Sequence, residues 1–132
     1  MRKKLLSILA LLCLTVTSAW AETIGGIVYT LNTSDHTAQV GVNSSYSGAL
    51  TIPETVEYNS ETYTVTSISD YAFAFCAGLK SADIPASVTH IGNNAFLLCI
   101  KLRQITLPAW ATDHTRILRD CGNVKEIKYN LN

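Results

Sequence analysis

The sequence predicts a mainly β fold: a solenoid of about three short turns behind an N-terminal antiparallel β-hairpin cap. Three observations carry this reading. Residues 65–85 (VTSISDYAFAFCAGLKSADIP) are nearly repeated as residues 88–108 (VTHIGNNAFLLCIKLRQITLP), 23 positions on. Cys76, Cys99 and Cys121 recur at the same place, spaced 23 and 22 apart. The N-terminal third has no such period, but alternates apolar and polar residues.

At the start of the chain, Arg2, Lys3 and Lys4 precede a largely apolar run at 5–16, followed by Ser18-Ala19-Trp20-Ala21. A basic flank, a short apolar stretch and small residues at the end describe a secretory signal peptide. The run is too short for a membrane span, which takes about 20 apolar residues. Residues 1–21 are therefore expected to be a signal peptide cleaved after Ala21, leaving no membrane span. The destination is secreted or cell surface.

Residues 22–64 are expected to form the cap. Ile27, Tyr29 and Leu31, then Ala38, Val40 and Val42, then Tyr63 and Val65 sit at every second position. That is the pattern of half-buried strands. Asn32-Thr33-Ser34-Asp35 and Tyr58-Asn59-Ser60-Glu61 lie between the runs and read as hairpin turns. The cap's physical role would be to cover the first apolar face and open strand edge of the solenoid. Leu50-Thr51-Ile52-Pro53 resembles the later strand ends and is expected to begin the stack with a partial turn.

Residues 65–132 are expected to be the repeats: 65–87, 88–110 and a degenerate 111–132. Overlaid, the first two match Ile68 with Ile91, Phe73 with Phe96, Cys76 with Cys99, Leu79 with Leu102, and Ile84 with Leu107. Together with Cys121 these form the expected structural core. One such turn cannot bury its apolar positions alone and does so against its neighbours. Within each unit, LKSADIP, LRQITLP and VKEIKYN read as strands, and proline ends the first two because it cannot donate to a sheet ladder. The shorter VTSI and VTHI read as a second strand or extended corner, with AFAFC and AFLLC turning the chain between.

These residues strongly resemble the BspA-like leucine-rich repeat, with its I-G-x-x-A-F-x-x-C-x-x-L core and strands ending in I-P or L-P. The match is close over 65–108 and looser over 121–130. The resemblance implies a leucine-rich-repeat solenoid in a secreted or cell-surface bacterial protein that works by binding. Its relatives act as adhesins for host matrix proteins or other cells. The implied partner is a protein or glycan ligand on host or neighbouring cells.

Charge and chemistry narrow the alternatives. Without Arg2, Lys3 and Lys4, seven basic residues face ten acidic ones, a net charge of −3. That argues against a nucleic-acid partner, whose binding rests on clustered Lys and Arg. The odd count of mature cysteines follows the repeat and not a disulfide framework. No CxxC or histidine at ligand spacing points to a metal, so no metal or cofactor is expected. His36, His90 and His114 lie in no catalytic motif, and no G-x-S-x-G elbow is present, so an enzyme is not expected.

The expected partner-binding surface is the outward side of the strands: Ser81 and Asp83, Gln104 and Thr106, Glu126 and Lys128. At about 4.8 Å between strands and about 3.3 Å per residue, such a face covers roughly 250–300 Å². A standard interface takes about 800 Å² from each partner. Binding would have to recruit further surface, many weak contacts or self-association. Lys80, Arg103 and Lys125 recur as a basic column on one flank, either a contact for an acidic partner or anionic sugar, or a solvated edge offset by Asp83 and Glu126. The alternative to a binding module is a structural or self-assembly element, whose last rung would dock another copy or a larger partner.

Overall fold

The computed structural model describes residues 19–130, all strands, turns and bends. In chain order the strands are β1 (Ala19–Ile24), β2 (Ile27–Asn32), β3 (Thr37–Val40), β4 (Gly48–Thr51), β5 (Thr55–Tyr58), β6 (Glu61–Ile68), β7 (Leu79–Asp83), β8 (His90–Ile91), β9 (Gln104–Pro108) and β10 (Glu126–Asn130). Most of the expected signal peptide, residues 1–18, lies outside the described residues. Ala19, Trp20 and Ala21 fall within β1, and cleavage after Ala21 would leave Glu22, Thr23 and Ile24 paired with Tyr29, Val28 and Ile27.

Two sheets divide the strands. The first runs β1-β2-β3-β6-β5, with β8 also paired to β6; the second runs β10-β9-β7-β4. Each pairing in the second sheet is parallel. Parallel neighbours need a long crossover, and the repeat period supplies one per turn. β1, β2 and β3 are antiparallel, as are β5 and β6. The cap is not purely antiparallel, however: β3 pairs in parallel with β6. β6 spans the expected boundary between residues 64 and 65, and β4 heads the repeat sheet. The leader is thereby joined to both sides of the solenoid.

The period-two pattern decides which side chains point inward. Ile27, Tyr29 and Leu31 of β2 and Ala38 and Val40 of β3 are buried, as are Tyr63 and Val65 of β6. Val42 departs from the pattern and is exposed, because β3 ends at Val40 and the irregular stretch after it turns Asn43 inward instead. The repeats contribute Ile68, Phe73, Cys76, Leu79, Ile84, Ile91, Phe96, Cys99, Leu102 and Leu107, all buried in one cluster with the cap residues. Cys121 packs against that cluster but is half-buried, since no described turn lies beyond it.

Two columns run along this core. The Phe73 and Phe96 rings stack at 5.2 Å and 12°, while Tyr46 meets Phe73 edge-on at 6.0 Å. Beside them each thiol donates to a carbonyl one turn back: Cys76 to Asn43 at 3.0 Å, Cys99 to Phe73 at 3.1 Å and Cys121 to Phe96 at 2.8 Å. Cysteine suits the position because it is small and apolar yet offers a weak donor, which on Phe73 O and Phe96 O adds to the backbone N–H of Cys76 and Cys99 at 3.3 Å. Burial pushes the Cys76 thiol above its ordinary range, and contact with Cys121 followed by burial does the same for Cys99. Both therefore stay protonated, the form that can donate.

The corners are tight. Tyr71, Phe75, Asn94, Leu98 and Asp120 have φ between 57° and 63°, so side chains other than glycine occupy left-handed backbone at matching places in successive turns. Gly92 answers a different constraint. A Cβ there would lie 2.3 Å from the Asp70 nitrogen and 2.6 Å from the Ser69 carbonyl carbon.

Candidate functional site

The parallel sheet fixes the register of its outward side chains. Ser81 lies opposite Gln104 and Gln104 opposite Glu126, while Asp83 lies opposite Thr106 and Thr106 opposite Lys128. On the far side of β7, Ala49 and Thr51 of β4 continue the two rows against Ser81 and Asp83. Between the rows, Leu50, Ala82 and Ile105 point into the core. The result is one polar stripe across β7, β9 and β10, ending at Ala49 on β4, and a second across all four strands, presenting hydroxyl, amide and carboxylate groups with one ammonium at the β10 end. Lys128 Nζ lies 3.8 Å from Glu126 Oε2, an exposed pair of the kind typically worth under about 1 kcal/mol.

The basic column also assembles. Arg103 N donates to Lys80 O at 2.9 Å and Lys125 N to Arg103 O at 2.7 Å, placing the three residues in successive turns. Asp83 and Glu126, the expected acidic offset, make no ion pair with the column. Glu126 turns to Lys128, and among the described residues none of Lys80, Lys101, Arg103 and Lys125 makes an ion pair. Lys101 joins the column although its own place in the repeat is not basic elsewhere. With Lys80, Arg103 and Asn123 it lines a hollow of about 360 Å³.

The histidines are dispersed. His36 Nε2 bonds Glu61 Oε1 at 2.6 Å, which ties the tips of the two cap hairpins together. His114 Nδ1 lies 3.3 Å from the Tyr129 hydroxyl, and His90 is exposed on β8. Among the described residues no group of three His, Cys, Asp or Glu side chains is placed to hold a metal ion.

One structural residue carries no repeat signal. Asn43, nearly buried, accepts Val28 N on Oδ1 at 2.9 Å and donates Nδ2 to Gly41 O at 2.9 Å. Its backbone N–H donates to Ala72 O at 2.6 Å, and its carbonyl takes the Cys76 thiol. It is the joint between cap and first repeat. Only its spacing from the turn residues around it could have suggested this.

Parallel strands stacked at a fixed period, with an aromatic column and a thiol column inside, define a leucine-rich repeat solenoid. The chain belongs to the BspA type leucine rich repeat family, whose six-copy region matches residues 45–132, two-thirds of the sequence. Its fold is similar to a leucine rich cell surface protein of Faecalibacterium prausnitzii, at 26% identity and a TM-score of 0.61 over 86% of this chain. It is also similar to a leucine-rich repeat protein of Bacteroides ovatus, at 26% identity and a TM-score of 0.67 over 82%. The chain spans only 32% and 29% of those two proteins. A leucine-rich repeat protein of Bacteroides capillosus shares the fold at 20% identity and a TM-score of 0.61, with 83% of this chain and 98% of that one covered. Among curated proteins nothing matches.

Proposed function

We propose that this chain is a non-enzymatic binding module, exported from a bacterial cell and adhering to host or neighbouring cells through its repeat surface. The observation that carries the reading is the pair of in-register polar stripes across β7, β9 and β10, one of which reaches Thr51 on β4. Register holds these side chains in continuous rows on a hydrogen-bonded scaffold, so contacts cost little ordering of the backbone. The family membership and the cell-surface neighbour support the location.

Capture on immobilised matrix proteins and glycans tests the reading. Asp83→Ala, Gln104→Ala and Thr106→Ala together should abolish capture by the folded protein. Undiminished capture would remove the stripes from the account. A second reading, docking to another copy, draws on the half-buried Leu118, Cys121, Val124 and Ile127, which line a hollow of about 570 Å³ at the last turn. Light scattering separates the two: a strict monomer at high concentration argues against docking between copies.

A further inference from the structure

The charges of this chain are segregated along it. Residues 19–79 hold six acidic side chains, Glu22, Asp35, Glu54, Glu57, Glu61 and Asp70, and no lysine or arginine. Residues 80–130 hold seven lysines and arginines against four acidic residues. A near-neutral formal balance therefore hides an acidic N-terminal part and a basic C-terminal part. Within that region the hollow lined by Lys80, Lys101, Arg103 and Asn123 gathers three cations, none of which pairs with a carboxylate among the described residues. Like charges brought this close and left unpaired create a positive potential that favours an anion.

We infer that this flank hollow binds the acidic groups of a carboxylated or sulfated polysaccharide. Arg103 offers a planar fork of donors suited to a two-oxygen anion, and Lys80 and Lys101 supply point charges at its sides. Asn123 adds a feature that a bare anion cannot use. Its Nδ2 donates to Ile100 O at 2.5 Å, which leaves Oδ1 as an acceptor on the rim. A sugar hydroxyl satisfies that acceptor while the neighbouring acid group meets the cations.

The lining also speaks against other polyanions. Protein interfaces draw their energy from buried aromatic anchors, and single-stranded nucleic acid needs aromatic platforms for its bases. The exposed aromatic residues Trp20, Tyr71, Phe75 and Trp110 are all outside this hollow. A hydrophilic, hydroxyl-bearing chain needs no such anchor. The inference deepens the binding-module reading and rests on it, but it uses the flank and not the stripes of Asp83, Gln104 and Thr106.

Calorimetric titration at physiological salt decides it, with polygalacturonate as the carboxylated probe, dextran sulfate as the sulfated one, and neutral dextran and polyglutamate beside them. One or both acidic glycans should bind, which identifies the preferred acid group, while neutral dextran should not. Lys101→Gln/Arg103→Gln should weaken binding about tenfold, at roughly threefold per exposed charge. Arg116→Gln/Arg119→Gln removes the same charge elsewhere and should change it less than about twofold, with thermal unfolding confirming that both variants fold. Equal losses in the two variants would reduce the effect to bulk charge and overturn the inference. So would failure of both acidic glycans to bind, or polyglutamate binding as tightly as they do. Matrix capture by the stripes survives any of these failures, so the two claims fall separately.

Discussion

Replacing Gly92 with alanine should destabilise the protein by about 2–4 kcal/mol, although only one methyl group is added. The added carbon would lie 2.3 Å from Asp70 N and 2.5 Å from Asp70 Oδ1. Ordinary contacts between heavy atoms begin near 3.5 Å, so the two turns must separate by about 1 Å. The bonds that hold them together there are Gly92 N to Ile68 O at 2.8 Å and Asn93 N to Asp70 Oδ1 at 2.7 Å. Losing these costs about 0.5–1 kcal/mol each, and residual crowding adds about 1–2 kcal/mol more. At about 4 °C per kcal/mol for a domain of this size, Tm should fall by about 8–16 °C in a circular-dichroism melt. Gly122 is the control: it has open space around it and no left-handed backbone, so Gly122→Ala should leave Tm within about 2 °C. A Gly92→Ala protein melting with the Gly122→Ala protein would refute the close approach of the turns.

Other expectations follow from the same packing. Under native conditions, alkylation with peptide mapping should modify Cys121 well before Cys76 and Cys99, because only Cys121 is partly exposed; equal rates would place the thiol column at the surface. Asn43→Ala should cost about 2–3 kcal/mol by orphaning Val28 N and Gly41 O, with amide exchange accelerating first in β2 and β3; uniform acceleration would deny it the role of a joint. Burial, aided by Tyr46, pushes the Tyr29 hydroxyl up to about 12. An unfolded tyrosine ionises near pH 10, so the unfolded chain releases this proton first and stability present below pH 10 is lost as pH rises towards 12. The loss is about 2–3 kcal/mol, and Tyr29→Phe should flatten that part of a Tm-against-pH curve.

Much of the architecture is written in spacing. Cys76, Cys99 and Cys121 could be placed on one column because equal periods put residues above one another, whatever the path between them. The stripes were legible for the same reason, since a period of 23 carries Ser81 to Gln104 and Asp83 to Thr106. What spacing does not encode is pairing between unlike segments. The parallel contact of β3 with β6 joins a cap strand to a repeat strand that shares no motif with it. Asn43 is of a residue type common in loops, and its partners at 28, 41, 72 and 76 come together only through the fold. The hollow at Lys101 was hidden because one wall comes from the repeating basic column and the other from corner residues that differ between turns. The left-handed corners are not legible in the sequence because Tyr71, Phe75 and Leu98 are residue types that rarely adopt such a backbone.

Adjacent turns stabilise each other across their shared core, and a double-mutant cycle on Phe73 and Phe96 measures this coupling most directly. With rings stacked at 5.2 Å, Phe73→Leu and Phe96→Leu should be non-additive by about 0.5–1.5 kcal/mol in chemical denaturation. Additivity within about 0.3 kcal/mol would mean that the two turns stand independently, and the account of the solenoid would fail.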